Sequence, residues 1–136
     1  MTALIPLALA GAIAGPAAGA TAATDCLAWN GSQPADLGDA PLIGGVAAVS
    51  TCNVWVVGLA GSPGSPLIEH WDGNSWAAVP SPDPGSPGFL SAVSAASASD
   101  IWAVGVSTAG PRRPLILHYD GSAWTQVPSP NLGDTE

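Results

Sequence analysis

Two imidazoles stand in matched surroundings: His70-Trp71-Asp72-Gly73 and His118-Tyr119-Asp120-Gly121. A histidine with a carboxylate in reach can carry a proton in general acid–base catalysis. Two carboxylates can also work as the acid and base of a glycosidase. Trp71 and Tyr119, one residue after each histidine, are the aromatic side chains first considered as ligand-binding platforms, for instance for sugar rings. Against these chemistries stands repetition. A catalytic group serves one site, whereas His70 and His118 occupy equivalent places, as do Asp72 and Asp120. The histidines are therefore expected to brace the fold, by hydrogen bonds to the Asp-Gly hairpin or to the next repeat. The aspartates are expected to shape turns. No catalytic residue is expected. Glu69 (against Leu117) and Arg113 (against Ser65) are the main polar residues without a mate, and neither has an evident partner. Arg112-Arg113 is expected as a solvated tip in the loop between two strands.

Other chemistry is excluded by composition. The 136 residues carry 2 Lys+Arg against 10 Asp+Glu, a formal net charge of −8. Nucleic acid, which needs clustered basic residues, is not an expected partner. No phosphate-cradling glycine loop, GxSxG or HExxH is present. Two cysteines without CxxC spacing speak against zinc, so neither metal nor cofactor is expected.

Cys26 and Cys52 instead suit a disulfide in an exported chain. Residues 1–22 are read as a signal peptide. Ala3–Ala14 is an uncharged apolar run, and Ala18-Gly19-Ala20 and Ala20-Thr21-Ala22 fit small-x-small cleavage sites. No basic residue precedes the run: either the start is misassigned and a basic segment lies upstream, or the leader is a weak one. The alternatives are a buried N-terminal element and a retained membrane anchor. The expected location is extracellular.

The elements that must position these residues come from an internal repeat. At an offset of 47, Trp55 falls on Trp102 and Gly58 on Gly105. At 48, His70 falls on His118, Asp72 on Asp120, Gly73 on Gly121 and Trp76 on Trp124. Each unit reads as four short strands: 42–49, 54–59, 67–71 and 76–79, matched by 89–96, 101–106, 115–119 and 124–127. All span 4–8 residues, are mostly rich in Val, Ile, Leu and Trp, and are bounded by Gly, Pro, Ser and Asp clusters. Asp-Gly between the third and fourth strands predicts a tight primed turn. The proline-rich stretch Pro80–Pro87 links the units. The divisions are 1–22 leader, 23–41 N-terminal strand segment around Trp29, 42–88 first repeat, and 89–136 second repeat with a C-terminal stub. Several strands are apolar on both faces, as in sheets stacked between neighbours. The class is all-β: two four-stranded antiparallel propeller-type blades plus an N-terminal extra strand, an incomplete propeller.

The strings Asp100-Ile101-Trp102-Ala103-Val104-Gly105 and His118-Tyr119-Asp120-Gly121-Ser122-Ala123-Trp124 resemble repeats of secreted actinobacterial β-propeller proteins. Those are similar to the Kelch and galactose-oxidase central-domain class. Asn53-Val54-Trp55-Val56-Val57-Gly58 and His70-Trp71-Asp72-Gly73-Asn74-Ser75-Trp76 carry the same marks. Gly44-Gly45 is similar to the Kelch double glycine, but Ser91-Ala92 stands there in the second unit. The resemblance implies fold more than activity, since propellers host enzymes, lectins and scaffolds. Two blades would leave open apolar faces that invite missing blades, copies of the chain or another partner. A non-catalytic binding or interaction module is therefore expected. The rival readings are a fragment of a carbohydrate-active hydrolase, lyase or oxidase, and a carbohydrate-binding lectin.

Overall fold

In the computed structural model, the described residues are Cys26, 41–82, 87–108 and 111–130. The leader at 1–22, the segment around Trp29 and the C-terminal stub lie outside them. The described part is all-β, with eight strands and no helix. They are β1 (Leu42–Ser50), β2 (Asn53–Ala60), β3 (Ser65–Trp71), β4 (Trp76–Ala78), β5 (Gly88–Ser97), β6 (Asp100–Ser107), β7 (Arg113–Tyr119) and β8 (Trp124–Gln126). All eight expected strands are present, with ends shifted by a residue or two. Arg113 is the exception to its expected place: it opens β7, paired with Ser107, rather than lying in the preceding loop. It and Arg112 are exposed.

Each sheet is an antiparallel meander, β1-β2-β3-β4 and β5-β6-β7-β8. Every strand pairs with its sequence neighbour, which short turns between Val- and Ile-rich runs favour. The fourth strands gain one further bond each, Val79 N–H to Ile68 O (2.9 Å) and Val127 N–H to Ile116 O (2.8 Å). Irregularities recur at matched places, between Ile43 and Gly45 and between Leu90 and Ala92. The repeat therefore extends to backbone detail.

Register assigns the faces, because residues directly opposite in a ladder share a side. In the first sheet Trp55, Val57, Ile68 and His70 share one face. In the second, Ile101, Ala103, Leu115, Leu117 and Tyr119 share the opposite face of the repeat. These two unlike faces meet. Trp55, Val57, Ile68, Leu90, Ile101, Ala103, Leu115, Leu117 and Trp124 form one buried cluster. Stacking is thus head to tail: the front of the first sheet covers the back of the second. β1 and β5 run beside each other across this junction. There the backbone of Gly44-Gly45 lies directly against that of Leu90–Val93.

The β3–β4 and β7–β8 hairpins correct one expectation. Trp71 pairs with Trp76 and Tyr119 with Trp124, so four residues, not two, span each turn. The aspartate side chain makes the longer turn stable. Asp72 Oδ1 accepts from Asn74 N–H and Ser75 N–H, both at 2.8 Å. Asp120 Oδ1 accepts from Ser122 N–H (2.8 Å), Ser122 Oγ (2.7 Å) and Ala123 N–H (3.0 Å). Gly73 and Gly121 take φ of 95° and 96°, where a side chain is disfavoured.

Cys26 and Cys52 are disulfide-bonded, with Cα atoms 5.3 Å apart. Cys52 lies on the β1–β2 turn and packs over Gly73, as Ser99 packs over Gly121 in the second sheet. Ser99 is the register mate of Cys52, so serine already fits this turn. Cys52→Ser should therefore report on the bridge alone. With the cysteines 26 positions apart in sequence, its loss should lower the unfolding free energy by about 3 kcal/mol on a chain-entropy account. A denaturant titration checks this; an unchanged midpoint would remove the bridge from the stability of the fold.

Candidate functional site

The histidines do not bond the hairpins. Each is held to the start of the second strand of its own sheet. Asn53 Oδ1 meets Trp55 Nε1 at 2.7 Å and His70 Nε2 at 3.0 Å. Asp100 Oδ1 meets Trp102 Nε1 at 2.8 Å and His118 Nε2 at 3.0 Å. Alternation along a strand puts residues i and i+2 on one side, which is why Asn53 reaches Trp55 and Asp100 reaches Trp102. The cross-strand pairs Trp55–His70 and Trp102–His118 complete each clamp. The rings stack at 4.2 Å and 27° in the first sheet, and at 4.3 Å and 31° in the second. An indole N–H can only donate, so the Asn53 atom it meets is the oxygen. His70 therefore donates from Nε2.

The two clamps are chemically alike but differently placed. Trp55 is 2% exposed under the second sheet, whereas Trp102 is 41% exposed. Burial lowers the His70 pKa below its ordinary value, against a smaller opposing effect of Asp72, and favours the neutral ring. The amide of Asn53 suits that covered position, since it carries no charge to desolvate. In the second sheet Asp100 supplies a carboxylate paired with His118, and its side chain is half exposed.

Trp71 and Tyr119 are not brought together. Tyr119 packs in the junction against Trp55 (4.8 Å) and Trp124 (5.5 Å). Trp71 lies on the far face of the first sheet, 5% exposed, against Trp76 at 5.8 Å. Its indole donates to Thr51 O at 3.2 Å. Asp72 and Asp120 are occupied by their turns, and those hydrogen bonds hold both carboxyls below the usual range, Asp120 at about 2. Such acids stay ionised and do not supply protons near neutral pH. Glu69 is buried on the far face of β3, opposite Val56. Among the described residues no cluster of three or more His, Cys, Asp or Glu is arranged to hold a metal.

Asn53 and Asp100 are the clamp residues that spacing alone misses. Their signal was present: a short polar side chain two residues before each repeated tryptophan. What spacing lacks is the cross-strand register that brings the histidine to them.

The open surface is apolar. On the front of the second sheet Trp102, Val104 (43% exposed) and Phe89 (38% exposed) share a side with His118. At the opposite end, Val46, Thr51, Val54, Val56, Trp71 and Trp76 line a hollow of about 300 Å³. A second hollow of about 370 Å³ opens at the junction, between the Leu42–Gly44 and Phe89–Ser91 segments. No protein-family model, curated protein or solved structure matches the chain. The fold and surface define an all-β protein of two stacked meander sheets, with a bare apolar face on the front of the second sheet.

Proposed function

We propose that the chain is an exported, non-catalytic interaction module built from β-propeller-type repeats, with the front of the second sheet as its working surface. One observation carries the reading. The face that the first sheet buries with Trp55, Val57 and Ile68, all at 2% exposure or less, is left bare in the second with Trp102 and Val104 above 40%. Exposed apolar faces of this kind mark interaction sites. The clamp of Asp100 and His118 holds Trp102 in place before any partner arrives, which reduces the ordering cost of binding. Export is supported by the Cys26–Cys52 bridge, since disulfides persist in oxidising compartments.

The test uses anilinonaphthalene sulfonate, a dye that brightens on apolar protein surface, at protein concentrations where the chain is monomeric. Val104→Asp should remove at least about half of the wild-type fluorescence gain by placing a charge on the bare face. An equal gain in both proteins would sink this choice of surface. Incubation with insoluble polysaccharide separates the rivals: retention without released reducing ends would favour a lectin, and released ends an enzyme.

A further inference from the structure

We infer that the front of the second sheet takes a cationic partner: an extended segment of another protein that lays an arginine or lysine on Trp102 beside the Asp100 carboxylate, and an apolar side chain on Val104. The inference rests on the interaction-module reading and adds the chemistry of the partner. It starts from a difference between the two clamps. Asn53 and Asp100 are register mates, and each accepts from the indole of its own clamp and bonds its imidazole. The amide does this as well as the carboxylate: 2.7 and 3.0 Å in the first clamp compare with 2.8 and 3.0 Å in the second. The charge of Asp100 is therefore not needed to hold Trp102. It stands at the open clamp, and the amide stands at the covered one.

The ring beside that charge has room for a partner. Trp55, its mate, meets Tyr119 and Trp124 at 4.8 and 5.5 Å and is 2% exposed. Trp102 stacks on His118 toward β7, has no other ring against it among the described residues, and is 41% exposed. Toward β5 its ladder partner is Ser94, and Ala92 lies opposite Val104; both are small and exposed. A guanidinium or ammonium group over an indole is drawn to the negative face of the ring. Arginine adds a planar fork that stacks on the ring and donates to a carboxylate at the same time. The clamp bonds go to Oδ1 of Asp100. Its side chain is 49% exposed, so the carboxylate has surface left for such a donor.

Charge selects the sign of the partner and its source. The chain has 2 Lys+Arg against 10 Asp+Glu. Both cations are arginines, Arg112 and Arg113, at the far end of the β6–β7 ladder, where Arg113 pairs with Ser107. Ser107 and Asp100 are the two ends of β6, roughly 23 Å apart at the usual rise of a strand. That is well beyond the screening length of physiological salt. The chain thus supplies no arginine to Asp100, and a second copy would bring a further net charge of −8 against it. Val104 sets the spacing. It lies two residues from Trp102 on the same face, which matches a cation and an apolar residue at i and i+2 of an extended segment.

Heteronuclear NMR with a titrated peptide provides the test. The probe is Thr-Arg-Thr-Val-Thr, and its control carries citrulline, which keeps the shape of arginine without the charge. The Trp102 indole N–H signal is assigned by its absence from Trp102→Ala. The arginine peptide should shift that signal saturably, and the citrulline peptide should bind at least about tenfold more weakly. Asp100→Asn should weaken the arginine peptide by a similar factor while leaving the indole signal near its wild-type position, because Asn53 shows that an amide holds the clamp. Equal affinity for the two peptides, equal affinity in Asp100→Asn, or no shift at Trp102 would each overturn the inference. So would a Trp102 signal that moves with protein concentration alone, which would mean that a second copy takes the face. In any of these cases, a dye response that still depends on Val104 leaves the module reading standing with another partner. Loss of that dependence removes the module reading itself.

Discussion

Trp55→Ala lowers the unfolding free energy by about 3–5 kcal/mol, the range for deleting a large buried aromatic side chain. Trp102→Ala changes it by about 1 kcal/mol. The two residues are register mates with the same strand partners and the same clamp, so the contrast isolates the junction. Trp55 is 2% exposed, stacks on His70, and packs against Tyr119 at a tilt and Trp124 edge-on. Its removal leaves a void bounded by both sheets and leaves Asn53 with His70 as its one clamp partner. Trp102 gives up its bond to Asp100 and its stack on His118, with water free to replace them. Denaturant titration of both variants, with slopes compared, is the measurement. Equal losses would mean that the two sheets do not share a junction.

Gly44→Ala is the second large effect, a loss of about 3 kcal/mol from overpacking. A Cβ on Gly44 would overlap the Leu90 carbonyl and lie 2.9 Å from Ser91 Cα. Both obstacles are backbone, so no side-chain rotation relieves them. β1 and β5 would have to separate where Gly44 lies against Leu90 and Ser91. Ser91, the mate of Gly44, carries a side chain because its outer side is open. The serine Oγ donates to Val104 O at 3.2 Å. Ser91→Gly should therefore cost less than about 1 kcal/mol, the worth of that exposed bond. Similar losses in the two variants would show that the close approach at Gly44 is not what limits the spacing of the sheets.

The pairing of large effects with one copy of each repeated residue explains what was readable in the chain. The eight strands were legible because each run of Val, Ile, Leu and Trp appears twice between turn residues, and the match of Trp55 with Trp102 fixed the frame. The disulfide was legible from an even cysteine pair. The four-residue hairpins were not, because Asp-Gly alone does not say whether the aspartate side chain will enter the turn as an acceptor. The clamps were not, because Asn53 and His70 are 17 residues apart and meet only through the register of β2 on β3. Nor was it legible which face of each repeat would be covered. Strands such as Val54–Leu59 are apolar on both sides, so periodicity names no inside, and stacking order decides it.

The meander order has a consequence for how the chain reaches this state. Every ladder joins neighbouring strands, so each sheet can zip up through successive hairpins, with small loop-closure costs and little sequence to search. The contacts of β5 with β1, β2 and β3 are of another kind, since they span the link between repeats. The topology thus separates two sets of local ladders from one docking of sheet on sheet. Trp55 and Gly44 belong to the docking. A nascent first repeat carries an uncovered Trp55 face until the second is made, so synthesis itself sets the interval during which that face is open to other chains.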